Sequence, residues 1–276
     1  MAVENADPAG RGFLGDLSPS ILPHYVYHGR EQFLKDFRHA VETTSSSTEW
    51  FIVQGVDQKT YTSIFLPAEH GPFSRGASYD TELERLLVKM PLSRPHGIAS
   101  ETLNLILYKA LMPMGMDRSL GAIGSATHHA AMGGKEADKA WIPSRTPRGR
   151  SQDWPSAVLE VAYSESKAKL QSDIRYWLHA SDGEVKVVLT LAINPHSPSI
   201  TIENWGMNNQ RHLGQLRQTI QISKTGNNLT ITGAPLIIEF ERLFLRTPVE
   251  PRERNILIDK GELEYLAQQI WSMQQF

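Results

Sequence analysis

One carboxylate, Glu160, interrupts the apolar run Ala157-Val158-Leu159-Glu160-Val161-Ala162. A charged carboxylate is costly to bury without a counter-charge, hydrogen bonds or a metal. Any fold that accepts this run must therefore bring something to it. The run reads as a strand, with Val158, Glu160 and Ala162 on one face and Ala157, Leu159, Val161 and Tyr163 on the other. A small polar turn follows, in which Ser164 suits a helix N-cap. Leu170, Ile174, Trp177 and Leu178 then recur at helical spacing. Lys169 and Asp173 lie four residues apart on an adjacent face, where the default expectation is an exposed ion pair worth about 0.3–0.5 kcal/mol. For Glu160 the structural alternative to a metal is pairing with an arginine or capping by backbone amides.

The chain has 276 residues, 40% of them hydrophobic, enough for one large core or a core with a smaller appendage. The formal net charge of −2 gives no global basic field, so a nucleic-acid surface would have to be local. With no cysteine, a disulfide framework, a thiolate zinc site and a cysteine nucleophile are all excluded. The first residues lack the basic-then-apolar pattern of a signal peptide, and no apolar run is long enough to span a bilayer. The expectation is an intracellular protein, cytoplasmic or nuclear, without a membrane contact.

Residues 1–20 read as a lead-in rich in Gly, Pro, Ala and Asp. Phe33, Leu34, Phe37 and Val41 predict a helix over 30–42. Residues 49–55 and 60–66 read as two strands of a small α+β cap covering 1–78. Asp80 is expected to open a short helix with Leu83, Leu86 and Leu87 as its stripe. Pro91 and Pro95 precede a second helix, roughly 96–112, ended by Pro113 and Gly115. Strands are expected at 118–127 and at 134–142, the latter carrying Asp138. The loop with Arg145, Arg148 and Arg150 reads as solvated, with a phosphate-facing arm as the functional alternative. Val185 to Ile193 is apolar enough for burial on both faces. Strands at 199–205, 216–222 and 229–232 follow, the last two joined by a hairpin turn over 225–228. Leu236 to Leu245 reads as a strand running into a turn, and a helix over 260–273 closes the chain.

The order over 96–193 is thus helix, strand, strand, strand, helix, strand, with Asp138 on the second strand and Glu160 on the third. The order and its motifs resemble the PD-(D/E)xK nuclease superfamily, of restriction-endonuclease-like fold, and more closely its Uma2-like branch and fungal relatives. The motifs are Lys135-Glu136-Ala137-Asp138, Pro155 to Val161, Ser164-Glu165-Ser166 and Asp173 to Trp177. Gly124 to Thr127 and Leu243 to Arg246 add to the likeness, which covers most of residues 79–276. The resemblance implies an α/β (α+β) domain over 79–276 with a central mixed sheet flanked by helices, further strands and a C-terminal helix.

It also implies a chemistry. Asp138 and Glu160 would hold Mg2+ or Mn2+, which activates water and offsets charge on a phosphodiester. Strands about 4.8 Å apart let acids on neighbouring strands share one ion. The superfamily lysine belongs two residues after Glu160, where this chain has Ala162. Lys169, from the following helix, is the replacement candidate, with Lys167 second and Arg175 third. The leading expectation is a metal-dependent nuclease with Asp138, Glu160 and Lys169 as catalytic residues, nucleic acid as partner and a homodimer as a common assembly. The rivals are a catalytically silent nuclease fold that binds, and a small-molecule acid/base enzyme with Glu160 as base. His128-His129 read as a loop pair, Glu101 as a solvated helix acid, and Trp154, Trp177 and Trp205 as core residues.

Overall fold

The computed structural model describes residues 14–15, 17, 22–43, 49–66, 71–91, 93–123, 127–130, 133–163, 167–208 and 213–276. The chain begins with β1 (His24–Val26), α1 (Arg30–Thr43), β2 (Trp50–Gln54) and α2 (Gln58–Thr60), which runs on into a π-helical turn, Tyr61–Phe65. The hairpin β3 (Gly76–Asp80) and β4 (Arg85–Lys89) leads to α3 (Arg94–Leu111). Next come β5 (Leu120–Ile123), β6 (Thr127–Ala130), β7 (Gly133–Glu136), β8 (Lys139–Pro143) and β9 (Ala157–Tyr163). Then α4 (Lys167–Arg175), extended by a π-turn over Tyr176–Ala180, precedes β10 (Val187–Ile193), β11 (Ser199–Asn208), β12 (Leu213–Thr225) and β13 (Asn228–Thr232). The chain closes with β14 (Leu236–Ile238), α5 (Phe240–Phe244), β15 (Ile256–Ile258) and α6 (Lys260–Gln274).

A seven-stranded sheet in the order β13-β12-β11-β10-β9-β8-β5 forms the centre. It is mixed: β9 and β10 run parallel, while β8 and β11 are antiparallel to them. Within it, α3, β5, β8, β9, α4 and β10 keep the expected helix, three strands, helix, strand order. The alternation of β9 places its two faces in two different cores. Ala157, Leu159 and Val161 pack with Leu103 and Leu107 of α3 and Leu266 and Ile270 of α6. Val158 packs instead with Ile174, Trp177 and Leu178, and with Trp50, Ile52 and Leu87 of the other sheet. Among the described residues, no helix is long and apolar enough to cross a membrane.

That other sheet has the order β1-β2-β4-β3-β7-β6. It takes strands from before and after α3, and the boundary expected after residue 78 falls inside β3. Three local readings are corrected here. Residues 80–87 form the β3–β4 hairpin rather than a helix. Leu86 and Val88 enter the core that holds Phe33 and Phe51, while Leu87 enters the opposite one, a period of two. The Asp80 carboxylate caps a turn, accepting from the amides of Leu14, Glu82 and Leu83 at 2.8, 3.1 and 3.2 Å. Residues 60–66 are helical rather than extended: Asp57 Oδ1 accepts from the Thr60 amide at 2.7 Å, and Tyr61 and Phe65, one turn apart, enter a single core. Leu236 to Leu245 divides into β14 and α5.

The stretch expected as one strand over 134–142 breaks at Ala137-Asp138, where the chain leaves one sheet at β7 and enters the other at β8. Nearby, the buried Ser156 hydroxyl donates to the Leu243 carbonyl at 2.6 Å, joining the start of β9 to α5. Ser156→Ala removes a partner from a buried carbonyl and is expected to cost about 1–2 kcal/mol in urea unfolding.

Candidate functional site: a buried lattice of acids and bases

The ladder between β8 and β9 pairs Lys139 with Leu159, so Asp138, one residue earlier, stands opposite Glu160. Both point into the space between the central sheet, α4 and the first sheet. Other charged groups enter the same space from distant parts of the chain. Glu49 precedes β2, Lys89 ends β4, His96 lies in the first turn of α3, and Lys135 is on β7. Lys169 and Asp173 are one turn apart on α4.

Asp138 Oδ1 lies 2.7 Å from the Lys89 ammonium and 3.1 Å from His96 Nε2, and its Oδ2 accepts from the Val161 amide at 2.8 Å. The other ring nitrogen of His96 is 2.8 Å from Glu49 Oε2, while Glu49 Oε1 accepts from the Ser93 amide at 2.7 Å. Glu160 Oε1 accepts from the Trp177 indole at 2.5 Å and lies 3.3 Å from the Lys135 ammonium. Lys135 is also 2.7 Å from Asp173 Oδ1, and Lys169 donates to Asp173 Oδ2 at 2.8 Å. The Lys169 ammonium sits 4.1 Å from the centre of the Trp50 ring, a cation–π contact. Lys89 keeps 19% of its side chain exposed; none of the other seven charged side chains exceeds 3%.

Burial opposes ionisation of Asp138, but the charges of Lys89 and His96 outweigh it and hold its carboxyl well below the ordinary value. Burial likewise opposes protonation of His96, but Asp138 and Glu49 raise its pKa to about 10. Glu49, desolvated in the same way, is held below its ordinary value by hydrogen bonds from His96 and Ser93. Glu160 differs. Burial dominates there, Lys135 only partly counters it, and the carboxyl is pushed up to about 7.

The structure brings Asp138, Glu160 and Lys169 together: the Lys169 charge acts on both carboxylates. Lys167 is exposed. The Lys169–Asp173 pair, expected at the surface, is buried. Ser164-Glu165-Ser166 and Gly124 to Ala126 lie outside the described residues. His128, on β6 rather than in a loop, stacks on Trp154 and donates from its Nδ1 to the Asp153 carbonyl. Trp154, Trp177 and Trp205 pack the core as expected, and Glu101 is an exposed partner of Lys139 at 2.6 Å. Arg150, expected in a solvated loop, is 7% exposed instead. Sequence reasoning passed over Lys135, Lys89, His96 and Glu49. The one local signal was Lys135, which stands inside the motif that ends at Asp138.

The acid pair suits a magnesium or manganese ion poorly in this arrangement. Asp138 already meets Lys89, His96 and a backbone amide, and Glu160 meets Trp177 and Lys135. A divalent ion would add positive charge to four buried carboxylates that already face four basic side chains. It would also need several oxygen ligands, water among them. Among the described residues no three His, Asp or Glu side chains are grouped as ligands for one ion.

No family model matches the chain, and no curated protein matches it in sequence. One similar solved structure is described as "a putative nuclease belonging to DUF820 from Anabaena variabilis ATCC 29413". It is 10% identical, with a TM-score of 0.37, over 76% of this chain and 96% of that one.

Proposed function

We propose that this chain uses a nuclease-type fold for binding rather than for hydrolysis, its acid pair serving as a buried ion lattice between the two sheets. One observation carries this reading. Glu49, Asp138, Glu160 and Asp173 are met by Lys89, His96, Lys135 and Lys169, and the cluster is shut off from solvent by the first sheet. A hydrolytic site needs room for substrate and water beside its carboxylates, and these four side chains are each exposed by 3% or less. Fold alone does not set activity.

A second reading, magnesium- or manganese-dependent nucleic-acid cleavage, is favoured by the convergence of Asp138, Glu160 and Lys169. It requires the first sheet to lift away and the lysines to give up their partners. One experiment separates the two. The protein is titrated with Mg2+ and Mn2+ while its melting temperature is followed, and is incubated with plasmid, single-stranded DNA and RNA beside Glu160→Ala. The expected result is no rise in melting temperature and no cleavage, because an ion that binds the native state stabilises it by mass action. A metal-dependent rise together with cleavage that Glu160→Ala abolishes would establish the second reading instead.

A further inference from the structure

Away from the acid lattice, at the end of the central sheet where β9 and β10 begin, lies a cleft of about 1040 Å³. Its walls are the loop 147–150, the segment just before β10, and α5 with the chain that follows it. None of the eight lattice residues lines it. Five basic side chains do: Arg148, Arg150, Lys186, Arg242 and Arg246. Their acidic neighbours in the lining are Glu184, Glu239 and Glu241.

These cations are engaged to different degrees. Arg246 is held at both ends of its guanidinium by Glu253, at 2.6 and 2.7 Å, and lies over the Phe240 ring. Arg242 pairs with Glu239, which Arg217 also contacts at 3.0 Å. Arg150 is anchored to the Glu184 carboxylate and to the carbonyls of Trp154, Pro155 and Glu184. Its Nε is buried and has no hydrogen-bond partner among the described residues. Of these four, Lys186 is the least satisfied. It donates to the Gly183 carbonyl at 2.5 Å, and no carboxylate of the described residues pairs with it. Burial works against its charge, Arg150 and Arg242 repel it, and Glu184 and Asp182 offset this only in part. Lys186 and Arg242 also line a second cavity of about 270 Å³.

Three cations carried by separate segments thus crowd one cleft, at a cost in mutual repulsion that an anion relieves. A planar carboxylate matches one guanidinium. A phosphoryl group offers several oxygens in a tetrahedral array and can accept from three directions at once. The cleft is at the upper end of small-molecule sites, so the phosphate would be carried on a larger body. No aromatic side chain occurs among its lining residues, so nothing there stacks on a base.

We propose that this cleft binds a phosphoryl group carried on a nucleotide-sized or larger ligand, with Arg150, Lys186 and Arg242 as its contacts. The proposal deepens the binding reading and rests on it. Its geometry does not involve the acid lattice, so phosphate titration tests the cleft and metal titration tests the lattice.

The test is calorimetric titration of the full chain at low salt with pyrophosphate, ATP, a single-stranded oligonucleotide and, as a carboxylate control, citrate. Lys186→Gln and Arg242→Gln are run beside it. The expected result is binding of the phosphate probes that weakens with salt and falls about tenfold or more in each variant. Lys186→Gln is expected to keep or raise the melting temperature, since it removes a repelled charge, which separates lost binding from lost folding. Tighter binding of ATP than of pyrophosphate or the oligonucleotide would assign the site to free phosphorylated ligands. Tighter oligonucleotide binding with a steeper salt slope would assign it to a nucleic-acid backbone. The proposal is overturned if no phosphate probe binds, if both variants bind as the parent does, or if citrate binds as well as pyrophosphate.

Discussion

Asp138→Ala is expected to destabilise the protein by about 3–5 kcal/mol, the range for breaking a buried ion pair by removing one member. The cost has identifiable parts. His96 loses the carboxylate at its Nε2 and Lys89 loses its 2.7 Å partner. The Val161 amide, inside the central sheet, loses its acceptor. His96 can shed its proton and Lys89, with 19% of its side chain exposed, can turn toward water. The amide can do neither, and it sets the floor of the effect. Urea unfolding at neutral pH measures the loss. Lys89→Met grades the same lattice from its most exposed member and is expected to cost less. If Asp138→Ala changed stability by less than about 1 kcal/mol, the surface-pair range, the cluster would be solvated and the metal reading would regain its footing.

The sequence announced Glu160 because a charge inside an apolar strand has few physical explanations. It pointed to Asp138 and Lys169 only through the resemblance, whose motif order implies an acid on the preceding strand and allows a lysine from the following helix. It could not announce the rest. Glu49 and His96 are 47 residues apart, and Lys89 and Asp138 are 49 apart. Each taken alone looks like an ordinary solvated charge at the edge of an element. Their pairing depends on the first sheet folding over the second, which no local pattern encodes. The β3–β4 hairpin was misread for a related reason: Leu83, Leu86 and Leu87 fit a helical stripe, while Leu86-Leu87-Val88 buried on both faces fits a strand. The break at Ala137-Asp138 hid for the same cause, since residues 134–142 keep one extended pattern while changing sheets. The long-range cores decided between readings that the local patterns left equal.

The second large effect concerns pH. Burial raises the Glu160 carboxyl from 4.5 to about 7, so the native chain holds this proton more tightly than the unfolded one. Stability from that proton is fully present below pH 4.5 and is lost as pH rises through about 7, on the order of 3 kcal/mol in all. His96 has the same sign, its contribution being present below 6.5 and lost as pH rises through about 10. Asp138 and Glu49 have the opposite sign, since their lowered values make them stabilising above the ordinary carboxylate range and costly to protonate below it. The two signs together place the most stable condition on the mildly acidic side of neutrality. Glu160→Gln isolates one contribution. Relative to the parent, this variant is expected to gain roughly 3 kcal/mol between pH 4.5 and 8, because only the parent must release the buried proton. Urea unfolding of both proteins at several pH values across that window gives the difference directly. A difference that stays flat would mean that Glu160 ionises in the native chain as freely as in the unfolded one. A rising difference means that the native chain holds this carboxyl partly protonated at neutral pH, because the core around it opposes the charge.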